Sequence, residues 1–129
     1  MVARSEKFGL KDTGALMMNK YFKRAEFKCQ CCDFEVVGHE LLELLSVVRV
    51  RFNAPVIINS ACRCQKHNKA VGGVSSSKHL LGIAADISVK GVSPSEVYDF
   101  IDSAYPDSYG LGRYDTFTHV DVRRYKARW

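Results

Sequence analysis

Residues 39–52, HELLELLSVVRVRF, constrain the fold more than any other stretch of the chain. Leu41, Leu44, Leu45, Val48 and Phe52 recur at helical spacing, which predicts an amphipathic helix whose apolar stripe must be buried against another element. Asn53 ends the periodicity, and behind Pro55 the run VIINS reads as a short buried strand rich in β-branched residues. IAADISVKG reads as a second strand. Between the two, CQKHNKAVGG suits one or two helical turns closed by Gly72 and Gly73. In SPSEVYDFIDSAY, Ser93 is placed as N-cap, Pro94 at the first helical position and Glu96 three residues after the cap. A second helix is therefore expected, with Val97, Phe100, Ile101 and Ala104 facing the core. SYGLGRYDTFTHVDVR alternates as a hairpin turning near Asp115 and Thr116. Strands gathered in the second half with helices around them predict an α+β fold with a small, mostly antiparallel sheet.

At 129 residues, 47% of them hydrophobic, the chain suits one domain with a proper core and is short for two. Charges interrupt the first 20 residues throughout, so no secretory signal is expected there. The apolar runs fall short of a bilayer span, so no membrane span is expected either. The formal net charge of +5 is scattered except in RRYKARW, where Arg123, Arg124, Lys126 and Arg128 surround Tyr125 and Trp129. A solvated final strand with a docked tryptophan accounts for that tail better than a phosphate-binding surface, and nucleic acid is not an expected partner.

The chemistry concentrates in SSSKHLLGIAADISVKG. His79 precedes a turn at Leu81–Gly82 and Asp86 lies on the strand after it, so a chain reversal there aims both side chains at one point. Either residue alone reads as a structural His or Asp. His119 in FTHVDVR supplies a third ligand, and strand alternation places Phe117 and Asp121 on the same face. Two imidazoles and a carboxylate form a three-ligand zinc site with a fourth position open, the pattern of catalytic rather than structural zinc. Asp121 is the first candidate for the general base and Asp115, four residues before His119, the second. His67 and His39 have no such partners; the first is expected to brace a loop and the second to start a helix.

SACRCQKHNKAVGGVSSSKHLLGIAADI, followed by GLGRYDTFTHVDVR, resembles the zinc D-Ala-D-Ala carboxypeptidase family, whose wider group includes lysostaphin-type peptidases and the hedgehog fold. The shared pattern is S-x-x-R, then H-x(6)-D, then a late H-x-D. YFKRAEFKC also resembles the segment preceding the first core helix of small peptidoglycan-cleaving members. The resemblance implies a peptidase domain over residues 22–129 with an N-terminal extension at 1–21. It makes His79, Asp86 and His119 the zinc ligands, Arg63 the cation for a substrate carboxylate or oxyanion, and Ser60 and Ser77 residues that shape the site. Many relatives carry an acid three residues before the last ligand, where this chain has Thr116. The implied activity is hydrolysis of an amide bond in peptidoglycan stem peptides or cross-links, D,D- or L,D-type, by a monomer. Made in the cytoplasm without an export signal, such an enzyme reaches the cell wall by release or delivery, as a phage lysis protein does. A zinc-stabilised binding module without activity is the alternative. Cys29, Cys31, Cys32, Cys62 and Cys64 leave three states open: a second, structural zinc, buried thiols, or a disulfide formed in an oxidising exterior.

Overall fold

The computed structural model describes residues 20–29, 37–61, 63, 65–72 and 78–129. The expected N-terminal extension lies outside them up to residue 19, as do Ser77 and four of the five cysteines; Cys29 is buried. His67 falls in a helix, but its side chain is outside the described set.

The described residues form one α+β domain. Helix α1 (His39–Phe52) has the bounds its periodicity predicts and buries Leu41, Leu42, Leu44, Leu45 and Val48. Asn53 closes it in the left-handed conformation, at φ 48° and ψ 44°, a geometry that asparagine tolerates better than most residues. Strand β1 (Val56–Ser60) follows, then α2 (Gln65–Ala70) and a 3-10 turn at Lys78–Leu81. Strand β2 (Ala84–Val89) leads to α3 (Pro94–Ala104), where Ser93 Oγ accepts the Glu96 N–H as its N-cap. Strands β3 (Gly110–Arg113) and β4 (Thr118–Asp121) form the expected hairpin, and β5 (Ala127–Arg128) completes the sheet.

The sheet order is β1-β2-β4-β3-β5, antiparallel except where β5 runs parallel to β3. Period-two alternation separates its two faces. Ala85, Ile87 and Val89 of β2, Leu111 of β3 and Val120 of β4 enter the core cluster with the apolar stripes of α1 and α3. The two helices also meet directly, Phe52 against Phe100 edge to face at 5.6 Å. On the other face stand two rows of aligned residues. One runs Asp86–His119–Gly112 and the next Ala84–Asp121–Gly110. A register irregularity between Ile58 and Ser60 of β1 brings Ser60 opposite Asp86, at the end of the first row.

Two sequence expectations shift. In α3, Ala104 is exposed and Tyr98 takes a buried place beside Val97 and Ile101, because the Arg113 guanidinium of β3 lies 3.9 Å over the Tyr98 ring. β4 begins at Thr118, so Asp115 stands exposed in the hairpin turn and the strand alternation that would place it on the His119 face does not reach it. The C-terminal tail does form a final strand. Arg128 anchors it through Asp102 and the carbonyls of Tyr105, Ser108 and Tyr109.

Candidate metal centre

The centre is assembled from a turn and two strands. The 3-10 turn at Lys78–Leu81 ends at Gly82, whose φ of 71° reverses the chain into β2, the region where glycine is favoured. The carbonyl of His79 accepts backbone N–H bonds from both Gly82 and Arg63, at 3.2 and 3.1 Å, so the turn and the segment after β1 are fixed to each other. Asp86 and His119 are cross-strand partners on β2 and β4. His79, Asp86 and His119 are all buried, and one ligand atom of each lies within 4.8 Å of the others.

Hydrogen bonds set which edge of each ring turns inward. His79 Nδ1 lies 2.6 Å from the Ala61 carbonyl oxygen; a carbonyl only accepts, so Nδ1 carries the proton and Nε2 offers its lone pair, 3.4 Å from Asp86 Oδ1. His119 lies between two carboxylates, with Nδ1 2.9 Å from Asp86 Oδ1 and Nε2 2.8 Å from Asp121 Oδ2. Burial opposes charge on this ring, but the hydrogen bonds to Asp121 and Asp86 outweigh it and raise its pKa. The carboxylates respond in the opposite sense. Burial alone would raise Asp86, yet the His119 and His79 imidazoles beside it hold it well below the usual carboxylate range. Asp121 is held equally low, against its burial, by His119 and Arg123.

The donor set fits a small divalent cation. Two donors at roughly 2.1 Å from a tetrahedral zinc stand about 3.4 Å apart, comparable with the 3.4 and 2.9 Å separations of the two imidazole nitrogens from Asp86 Oδ1. The outward nitrogens are held by Ala61 and Asp121, the kind of support that ligating histidines have in zinc sites.

Arg63, only 13% exposed, donates from Nη2 to Asp86 Oδ2 at 3.2 Å, from Nε to Ser60 Oγ at 3.2 Å and from Nη1 to Asn68 Oδ1 at 3.3 Å. It therefore borders the three converging residues, with Ser60 behind it. Asp121 is fully buried, and its Oδ1 accepts Arg123 N and Nε while Oδ2 accepts Arg123 Nη2 and the His119 ring. Asp115 has no such place in the cluster. Trp129 lies 5.2 Å from the His119 ring and donates from Nε1 to Tyr114 Oη, and Tyr114 stacks on Phe117 at 4.5 Å. An open groove of about 810 Å³ is lined by Gly38, Lys78, Ile83, Tyr109, Val122 and Arg124 among others. Sequence reading singled out neither Arg123 nor the glycines of β3 as part of the site. The signal was present: extending the alternation two residues past Asp121 puts His119, Asp121 and Arg123 in one line.

No curated protein matches the chain. Residues 20–121, which carry Ser60, Arg63, His79, Asp86, His119 and Asp121, match the family model of Peptidase M15, and the chain belongs to that family of zinc D-Ala-D-Ala carboxypeptidase-like peptidases.

Proposed function

We propose that the chain is a zinc metallopeptidase that hydrolyses an amide bond in peptidoglycan stem peptides or cross-links, of D,D- or L,D-type. The observation that carries this reading is the convergence of His79, Asp86 and His119, each presenting a ligand atom to one small volume, in a member of a peptidase family. These three residues hold the metal. When bound, zinc supplies a Lewis acid that polarises the scissile carbonyl and lowers the pKa of water.

The chain's own residues do the rest. Arg63 meets negative charge on the substrate, either a carboxylate or the oxygen of a carbonyl under attack, with a planar fork of donors suited to both. Ser60 holds that fork in place through Nε. Asp121, enclosed between His119 and Arg123, serves as a positioning residue that holds the His119 ring.

The test is digestion of purified peptidoglycan by zinc-loaded protein, by chelated protein and by His119→Ala, with the new termini identified by mass spectrometry. New amine and carboxyl termini with the zinc-loaded protein alone are expected. Peptidoglycan left intact by zinc-loaded protein would overturn the reading in favour of a binding module.

A further inference from the structure

The cross-strand neighbours of His119 and Asp121 on β3 are both glycines, Gly112 and Gly110. The space their missing side chains leave is filled in each case. A Cβ on Gly110 would stand 2.5 and 2.6 Å from the two Asp121 carboxylate oxygens and 2.7 Å from Arg123 Nε. A Cβ on Gly112 would stand 2.5 Å from Trp129 Nε1. A second layer thus lies over the bare backbone of β3, the Asp121–Arg123 pair over one glycine and Trp129 over the other.

Arg123 is the keystone of that layer. Its Nε and Nη2 grip the two oxygens of Asp121 at 2.7 and 2.8 Å, and its backbone N–H adds a third contact at 3.2 Å. The guanidinium is also held between aromatic rings, 5.3 Å from the centroids of both Tyr125 and Trp129. Although Arg123 borders the groove beside the site, its donors are turned to Asp121 and its side chain is only 16% exposed. With both oxygens fixed by a two-pronged contact, the carboxylate can face His119 in one orientation only, and the ring it holds presents Nδ1 towards Asp86.

We propose that Arg123 is a positioning residue for the metal centre, acting through Asp121 to fix the ring of His119, and that Gly110 is required because only a residue without a side chain admits this pair. The proposal rests on the reading of His119 as a metal ligand.

Arg123→Lys keeps the charge and loses the fork. Gly110→Ala leaves Arg123 and Asp121 in the sequence and displaces them by crowding. Each protein, metal-free and folded, is titrated with zinc against a chromophoric chelator, and the visible absorption of its cobalt-substituted form is recorded. Val48→Ala, in the core beneath α1, serves as a comparator that lowers stability without touching the layer. Both Arg123→Lys and Gly110→Ala are expected to bind zinc about 10- to 100-fold more weakly than the parent and to alter the cobalt spectrum, while Val48→Ala changes neither. Parental affinity and spectrum in Arg123→Lys and Gly110→Ala, together with loss of zinc in His119→Ala, would overturn the role of Arg123 and leave the metal site standing. Full zinc affinity in His119→Ala would overturn both.

Discussion

Asp121→Asn offers the sharpest measure of what holds the centre together. The carboxylate accepts four donors, Arg123 N and Nε on Oδ1 and Arg123 Nη2 and His119 Nε2 on Oδ2. An asparagine can present an oxygen to only one of those pairs. Whichever way its amide is turned, the NH2 group faces two N–H donors, and the negative charge opposite Arg123 is gone. Two charge-assisted hydrogen bonds contribute about 1.5–3 kcal/mol each, and removing one partner of a buried ion pair costs about 3–5 kcal/mol. Arg123 keeps some exposure and can turn part of its charge to water, which favours the lower end. A loss of about 3 kcal/mol is therefore expected for the metal-free protein, roughly 10 °C in Tm for a domain of this size. Zinc affinity should fall about 10- to 100-fold because the outward nitrogen of His119 loses its acceptor or its orientation. Denaturant unfolding of the metal-free protein and chelator competition measure the two effects separately. If Asp121→Asn instead unfolds within about 2 °C of the parent, binds zinc as tightly and has lost turnover, then Asp121 acts on the reacting groups as a base, and its assignment to positioning is wrong.

Dialysis against a chelator should abolish hydrolysis and added zinc should restore it; hydrolysis persisting in excess chelator would exclude the metal reading. Asp115→Asn, in the exposed hairpin turn outside the cluster, should keep parental zinc affinity and turnover, and a fall in turnover of about 10²-fold or more with zinc retained would make Asp115 the base. Gly82→Ala must hold a φ of 71° with a side chain, at a cost of about 1–2 kcal/mol, and an unchanged unfolding free energy would show that the turn relaxes around it. Leu45→Ala, at a fully buried position of α1, should cost about 2–5 kcal/mol without altering the cobalt spectrum of the centre.

The elements that sequence reading recovered are those whose signals are local. The bounds of α1 follow from five apolar residues at one period, the start of α3 from a serine cap and a proline, and the hairpin from alternation on either side of a polar turn. Spacing, with the family resemblance, brought His79, Asp86 and His119 together. What sequence reading missed depends on neighbours distant in the chain. Alternation places Asp121 on the face of His119 but cannot show that Arg123 occupies both of its oxygens, and Asp121→Asn is the variant that separates a base from a positioning residue there. Helical periodicity admits either Ala104 or Tyr98 at the margin of the buried stripe, and the choice falls to Arg113, a residue from another element. The acceptor that orients His79 is a backbone carbonyl, that of Ala61, and carbonyls carry no sequence signature. The two glycines of β3 are conspicuous in the sequence, yet their purpose appears only when the residues filling their space are known.

The sheet order has a consequence for the time at which the centre comes into being. His79 and Asp86 are joined by one turn and can approach each other early, but His119 is 33 residues beyond Asp86 and meets it only when β4 pairs with β2. Arg123 and Trp129 come later still in the chain. Closing that interval is a non-local event, and such contacts form late in folding. A chain growing from its N-terminus thus offers at first a two-donor half-site, a weak competitor for zinc in a cell full of better ligands. Tight binding waits for the β2–β4 pairing and for the second layer over β3. Metal capture in this design marks the completion of folding and does not direct it, so the metal-free chain should reach the same sheet unaided and acquire its ion afterwards.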